Sequence, residues 1–273
     1  MTAATGGYDR RSLAALLLLV GVGSSVGYHW RDLLDANGDL DALLLGVWLV
    51  MAALITWNVA PRRDLLLLAV GLCGGAVIEW WGTTTGLWRY FTGERPPLWI
   101  LPAWPVAALS TDRLGQLFDR ALTALAGRGV ASRWLSPSSD FGQRASQLAY
   151  WCLLPLFVLG MTSFAWPARG VLSTQVVIAL MIALTLHCPR PRRDVVLFVG
   201  ASGLGFFLEY WGTSRQCWTY YTEQVPPAIA VVAHGFAAVA FARATDGIDW
   251  ALARLWRRLS ASAAHRQPEK AAS

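Results

Sequence analysis

The stretch EWWGTTTGLWRYFTGERPP, residues 79–97, places a glutamate at the end of an apolar run and follows it with Trp, Tyr and a Pro-Pro pair. Nearly the same text recurs 130 residues later as EYWGTSRQCWTYYTEQVPP, residues 209–227. The two copies align without a gap, Pro61–Pro97 on Pro191–Pro227, with 15 identical positions. A match of this length, with Trp and Pro in register, predicts an internal duplication.

The composition around these copies is that of a membrane protein. Of 273 residues, 55% are hydrophobic and only 15% are charged, and the mean hydropathy is +0.41. We therefore expect an all-α, multi-pass protein of the cell (plasma) membrane. The net charge of +6 lies in short Arg clusters between apolar runs, a pattern that encodes topology and argues against a nucleic-acid partner.

No cofactor or metal is predicted from the sequence. The four cysteines have no metal-ligand spacing and do not form a disulfide framework. They are Cys73, Cys152, Cys188 and Cys217.

Eight apolar segments are candidates for spans, since a span needs roughly 17–25 apolar residues. Two of them are short and begin with the Pro-Pro pairs, and Pro at a helix start loses no useful hydrogen bond. The predicted spans are residues 12–29, 42–59, 65–82, 97–111, 148–166, 171–188, 195–212 and 227–243.

The distribution of basic residues predicts the orientation. A topology with both termini inside places 18 basic residues on the inner side and five outside, as the positive-inside rule prefers. Each half then holds four spans, an even number, so the two repeats share one orientation about a pseudo-twofold axis along the membrane normal. We expect the third and seventh helices to lie near this axis.

The domain organisation follows from these spans. Residues 112–126 and 246–259 are predicted to be amphipathic helices in the inner interface. The predicted units are a first four-helix repeat with its interfacial helix (1–126), a cytoplasmic linker (127–147), a second such repeat (148–259) and a disordered tail (260–273).

The glutamate of each copy ends a stripe of small residues. Gly71, Gly75 and Glu79 are spaced by four and share one helix face, and the second copy repeats this spacing up to Glu209. Small residues at that spacing allow close helix packing in lipid, so we expect both glutamates to face protein. Two roles stay open: an interfacial residue paired with arginine, or a carboxyl in a poorly hydrated pocket that exchanges a proton.

His234 lies in the eighth span at the position that Trp104 occupies in the first half. A hydrogen-bonded structural role and proton transfer with Glu209 are both open. The aromatic residues near the glutamates fit either a membrane belt or a pocket that binds substrate. The candidates for substrate binding are Trp81, Trp88, Tyr90, Trp104, Trp211, Trp218 and Tyr220.

Residues 79–86, EWWGTTTG, resemble the E-x-x-G-x-x-T-G segment of the membrane-embedded carotenoid hydratases of the bisanhydrobacterioruberin hydratase type. Trp88, Tyr90, Pro97 and the ILPAW run that ends at Trp104 follow in an order similar to that family's. The segment GLWRY is also similar to the G-x-W-x-Y segment of small lycopene-cyclase subunits. The resemblance covers about 25 residues of the first half.

This resemblance implies acid-catalysed hydration or isomerisation of a carotenoid or other isoprenoid lipid taken from the membrane. A carboxyl in an apolar site suits the protonation of an alkene, and aromatic faces suit the resulting cation. Glu79 would be the acid, with Glu209 a second acid or a structural twin. The competing hypothesis is a protein without enzymatic activity: a lipid-binding scaffold, or a transporter that uses the paired glutamates as a proton site.

Overall fold

The computed structural model describes residues 7–29, 31, 39–126 and 139–265, and this part of the chain is almost entirely helical. It contains eight α-helices, two short strands and one turn of 3₁₀ helix at Trp166–Ala168. The elements are α1 (Arg10–His29), α2 (Asp39–Thr56), α3 (Pro61–Thr84), β1 (Trp88–Tyr90), α4 (Ala103–Ala126), α5 (Asp140–Phe164), α6 (Leu172–Leu186), α7 (Pro191–Ser214), β2 (Trp218–Tyr220) and α8 (Ala228–His265).

A helix lies at each of the eight predicted places. Five of these helices, α1, α3, α5, α7 and α8, are long and apolar enough to cross a membrane, and α2 and α6 are shorter apolar helices. Helix α4 meets neither description, because its apolar start is soon followed by Asp112 and Arg113. It also begins six residues later than predicted, since residues 97–102 form turns.

The outer surface of the helices is apolar. Leu17, Leu18, Leu156, Leu159 and Leu172 are each about two-thirds exposed or more. A soluble protein would not leave so many large aliphatic side chains in water, whereas lipid solvates them without cost. The surface therefore indicates a helical membrane protein.

Four predicted boundaries are wrong. Residues 112–126 and 246–259 are not separate interfacial helices but continue α4 and α8, because each segment has one glycine and no proline to break the helix. Within the predicted linker, residues 140–147 already belong to α5, since the Ser139 hydroxyl caps this helix by accepting from the Gly142 N–H at 3.1 Å. In the predicted tail, residues 260–265 belong to α8, and residues 127–138 and 266–273 lie outside the described chain.

At the centre of the molecule, α4 and α8 contact each other, and each also packs against both α3 and α7. The fourth and eighth helices therefore form the central pair, where we expected the third and seventh. Glycines permit this approach: a Cβ on Gly71 would lie 3.1 Å from Pro105 Cα of α4, and one on Gly75 would lie 2.1 Å from Trp104 Cγ. The stripe of small residues faces protein, as predicted.

The connections after α3 and α7 meet as a two-stranded antiparallel sheet. Trp88 is opposite Tyr220, Arg89 is opposite Thr219, and Tyr90 is opposite Trp218. Strands of three residues have no usable period in a sequence, so this pairing was not predicted. It brings the two EWWG/EYWG segments to one place in the fold.

The opposite end of the four central helices carries buried ion pairs. Arg113 of α4, only 1% exposed, reaches Asp64 of α3 at 2.6 Å, and Arg243 of α8 pairs with Asp194 of α7. Asp64 is separated from Glu79 by about 22 Å along α3 at 1.5 Å per residue. The central helices thus hold buried polar groups at two levels, with apolar packing between them.

Candidate functional site

Glu79 and Glu209 lie near the C-terminal ends of α3 and α7 and are buried, with 4% and 5% of their surface exposed. Protein therefore encloses both carboxyl groups, which favours the pocket alternative over the interfacial one. Arg215, which follows Glu209 by six residues, binds the buried Asp41 of α2 at 2.7 Å and not the glutamate. The side chains that do contact the glutamates are aromatic.

Three hydrogen-bond donors surround the Glu79 carboxyl group. Its Oε2 accepts from the Trp88 indole N–H at 3.0 Å and from the Tyr90 hydroxyl at 2.9 Å, and its Oε1 accepts from the Trp104 N–H at 3.0 Å. An indole N–H can only donate. Both oxygens of Glu79 are therefore held as acceptors.

Glu209 has the same surroundings except at one position. Its Oε2 accepts from the Trp218 N–H at 2.9 Å and from the Tyr220 hydroxyl at 2.9 Å. Its Oε1 lies 3.0 Å from Nε2 of His234, which replaces the tryptophan of the first site. An imidazole nitrogen either donates or accepts according to its tautomer, so this contact is compatible with a proton on either partner.

Two glycines allow the tryptophans to reach their glutamates. A Cβ on Gly82 would lie 1.9 Å from the Trp88 ring, and one on Gly212 would lie 2.0 Å from the Trp218 ring. Each ring therefore lies directly over the last turn of the helix that carries its glutamate. This explains locally why the quoted segments keep a Gly three residues after Glu and a Trp six residues further on.

The two carboxylate sites adjoin each other. The rings of Trp104 and His234 stack with centroids 5.8 Å apart and planes 14° from parallel. Across the strand pair, Trp88 lies 6.0 Å from Tyr220 and Tyr90 lies 5.9 Å from Trp218. These three ring pairs, each with one member from either site, form the aromatic layer around the two carboxyl groups.

Tyr90 and Tyr220 keep their protons in this layer. Burial, and then the adjacent carboxylates, raise the pKa of both phenols well above the usual range. Each hydroxyl therefore stays a donor to its glutamate.

Two predicted substrate-binding residues lie apart from the glutamates' hydrogen-bond shells. The Trp81 N–H donates to the Thr174 hydroxyl of α6 at 3.0 Å, and the Trp211 N–H donates to Asp41 of α2 at 3.2 Å. These contacts hold the peripheral helices α6 and α2 against α3 and α7. Trp88, Tyr90, Trp104, Trp218, Tyr220 and His234 are the predicted residues that the fold gathers around Glu79 and Glu209.

Two cavities adjoin this layer. A crevice of about 20 Å³ lies between α4, α7 and α8; Trp104 and His234 border it, and half of its ten lining residues are alanine. A larger cavity of about 330 Å³ opens at the strand end, where Trp88, Tyr90 and Tyr220 form part of its wall. Neither of these two cavities has Glu79 or Glu209 among its lining residues.

The buried ion pairs at the other end were missed by the sequence reasoning, although a signal existed. Asp64 and Asp194 belong to the repeated PRRD segments, and Arg113 and Arg243 are also 130 residues apart. Among the described residues, no group of three or more His, Cys, Asp or Glu side chains is placed to hold a metal ion.

Comparison of the chain with models of protein families, with curated proteins and with solved structures finds no match. We therefore infer the function from the residues and geometry of the site.

Proposed function

We propose that this chain is a plasma-membrane protein of two like-oriented four-helix repeats with both termini inside. The 15 identities between Pro61–Pro97 and Pro191–Pro227, and the matching hydrogen bonds of Glu79 and Glu209, support it. The excess of inner arginines supports the orientation. Reporter fusions at the two termini and in the loop after each helix test this topology; an outside signal from either terminus would reject it.

We further propose that the protein is an enzyme that adds water to, or isomerises, a double bond of an isoprenoid-type lipid, with Glu209 and His234 as its proton-exchanging pair. The observation that carries this proposal is the 3.0 Å contact between His234 Nε2 and Glu209 Oε1. Ionisable groups inside the membrane are costly, and pairs of them mark substrate pathways and proton relays in many membrane proteins.

In this proposal the acid is Glu209 of the second site and not Glu79. Trp104 fixes Glu79 as an acceptor, whereas His234 lets Glu209 share a proton. Glu79 then serves as the structural counterpart that fixes Trp88 and Tyr90 in the aromatic layer. These rings, with Trp218 and Tyr220, offer π faces that stabilise a carbocation by roughly 0.5–2 kcal/mol per contact.

The reaction proceeds in two balanced steps. The π electrons of the alkene take the proton of the Glu209–His234 pair, which leaves a carbocation on the lipid and the pair short of one proton. A water oxygen then bonds to the cation and returns a proton to the pair, so the net change is the addition of one water. Transfer of a proton from a neighbouring carbon of the cation back to the pair, in place of water attack, gives the isomer.

The crevice at His234 marks the place where such a lipid approaches the pair; its volume of about 20 Å³ holds one water, so α4, α7 and α8 must separate there for a chain to enter. Ala107, Ala108, Ala201, Ala237 and Ala238 line it, so its walls are apolar and short-chained. His234 itself keeps 21% of its side chain exposed beside this crevice. An apolar chain that enters between α4, α7 and α8 meets the imidazole first.

The test exchanges the residue that distinguishes the two sites. Each ring packs against a glycine of the neighbouring helix, Trp104 against Gly75 and His234 against Gly205. We expect His234→Trp and Glu209→Gln to abolish formation of a lipid product heavier than its precursor by one water, or of its isomer, in cells that express the protein. Trp104→His is the matched control and retains turnover. Mass spectrometry of extracted lipids gives the readout.

A normal product yield from His234→Trp, with the variant present in the membrane, would reject the proposed pair. The crevice also favours a second function, proton-coupled transport, because a space of about 20 Å³ admits one water beside His234. Reconstituted liposomes with an internal pH dye distinguish the two: the transporter acidifies them in a manner that depends on His234, whereas the enzyme does not.

A further inference from the structure

The larger cavity, about 330 Å³, lies at the strand end of the molecule, on the far side of the aromatic layer from the crevice. This volume is within the range of small-ligand sites. Its walls come chiefly from the first copy of the repeated segment: Thr83, Gly86, Trp88, Arg89, Tyr90, Gly93, Glu94 and Arg95, with Thr219, Tyr220 and Tyr221 from the second.

Two glycines leave this space open. Gly86 and Gly93 have positive φ angles of 73° and 72°, and a Cβ on either would meet nothing within 4 Å. The aligned residues of the second copy are Gln216 and Glu223, whose φ angles are 57° and 56°. The same backbone thus accommodates side chains in one copy, so its geometry does not by itself require glycine in the other.

The segment of the first copy that lines the cavity is also more positively charged than the aligned segment of the second copy. Residues 89–95, RYFTGER, carry a net charge of +1, whereas residues 219–225, TYYTEQV, carry −1. Arg89 stands where the second copy has Thr219, and Arg95 stands where it has Val225. Both arginines line the cavity, together with one carboxylate, Glu94.

Within the described chain, internal ion pairs hold neither Arg89 nor Arg95 strongly. Arg89 makes one contact of 3.5 Å with Glu223, and both partners are more than two-thirds exposed, so the pair is weak. Glu94 accepts instead from the Thr92 hydroxyl at 3.2 Å. The guanidinium groups therefore remain available to a ligand.

We propose that this cavity is a binding site for a phosphate-type anion, held by Arg89 and Arg95 over the backs of Trp88, Tyr90 and Tyr220. Guanidinium groups bind phosphate through paired, charge-assisted hydrogen bonds. The polar ends of the three aromatic side chains already point to Glu79 and Glu209, so their rings offer the cavity an apolar wall. A phosphate attached to a lipid or to a soluble organic molecule satisfies both features.

The experiment measures binding to the full-length protein in nanodiscs of neutral lipid. Glycerol phosphate is added in solution in one arm, and phosphatidic acid is included in the disc in the other. Binding is read from the shift in unfolding temperature and from the lipid retained in native mass spectrometry. Binding in the first arm identifies a soluble ligand, and binding in the second arm alone identifies a lipid headgroup.

Two double variants give the first copy the residues of the second. Gly86→Gln with Gly93→Glu fills the space, and Arg89→Thr with Arg95→Val removes the cations. We expect each to weaken binding by about tenfold or more, since charge-assisted hydrogen bonds are the stronger ones. Gln216→Gly, made at the aligned position of the second copy, is the control that leaves binding unchanged.

The arginine variant lies on the surface and keeps the helices intact, so it remains informative if the glycine variant fails to fold. Unchanged affinity in a folded arginine variant, or no binding in either arm, would overturn the proposal. Lipid hydration is not part of this assay, and its outcome is therefore independent of the Glu209–His234 pair.

Discussion

The rings of Trp104 and His234 stack with their centroids 5.8 Å apart. Trp104 Nε1 lies 3.0 Å from Glu79 Oε1, and His234 Nε2 lies 3.0 Å from Glu209 Oε1. They occupy aligned positions of the two copies. One ring can only donate a proton in a hydrogen bond, and the other can release or accept one. This single difference is the basis for proposing Glu209, and not Glu79, as the proton-exchanging carboxyl.

The same difference predicts unequal stability effects of an amide. In Glu79→Gln, the amide NH₂ must face the indole N–H of either Trp88 or Trp104, so a buried indole donor loses its acceptor, at a cost of about 1–3 kcal/mol. In Glu209→Gln, the amide NH₂ donates to His234 Nε2 once the imidazole carries its proton on Nδ1. We expect the first variant to unfold at the lower temperature in detergent. Equal melting temperatures would contradict this account of His234.

Helix packing at the two sites depends on glycine. A Cβ on Gly75 would lie 2.1 Å from Trp104, and one on Gly205 would lie 2.7 Å from His234. We expect Gly75→Ala and Gly205→Ala to cost about 1–3 kcal/mol by overpacking. Gly203→Ala is the control on the same helix as Gly205, since its added Cβ meets nothing within 4 Å. It should be neutral or stabilise by up to about 1 kcal/mol in the same melting assay.

The buried and exposed ion pairs at the Asp64 end of the central helices should differ in strength. Arg113→Ala leaves the Asp64 carboxylate buried without its partner, which costs about 3–5 kcal/mol. Arg62→Ala removes a pair with Asp249 in which both side chains are more than half exposed, and we expect a loss below about 1 kcal/mol. Chemical unfolding of both variants measures the contrast. A small effect at Arg113 would show that water reaches this pair.

The two buried tyrosines predict a loss of stability at alkaline pH. Their pKa values are raised by burial and by the glutamates, so the folded protein binds these protons more tightly than the unfolded chain, whose tyrosines titrate near pH ~10. This contribution is present below pH ~10 and is lost as the pH rises above it.

Unfolding temperatures measured from neutral pH to pH ~11 test the prediction. The double variant Tyr90→Phe with Tyr220→Phe should be less stable at neutral pH, because two hydrogen bonds to carboxylates are gone. It should also show a shallower decline above pH ~10. An unchanged decline would assign the alkaline sensitivity to other groups.

The sequence by itself determined the helices and singled out the two similar segments that meet in the fold. Apolar runs of span length have few alternatives to a helix, and the 3.6-residue period turns Gly71, Gly75 and Glu79 to one face whatever the partner is. The offset of 130 residues marked Glu79, Glu209, Trp88, Trp218, Tyr90 and Tyr220 before any fold was known.

Only the tertiary structure decided which groups meet. The pairing of Arg89 with Thr219 in the strands, the stacking of Trp104 on His234 and the contact of α4 with α8 join residues far apart in the chain. A local sequence pattern predicts which side chains of a segment are buried, but not which other segment they pack against. These long-range contacts bury both glutamates. They also place an indole beside Glu79 and an imidazole beside Glu209.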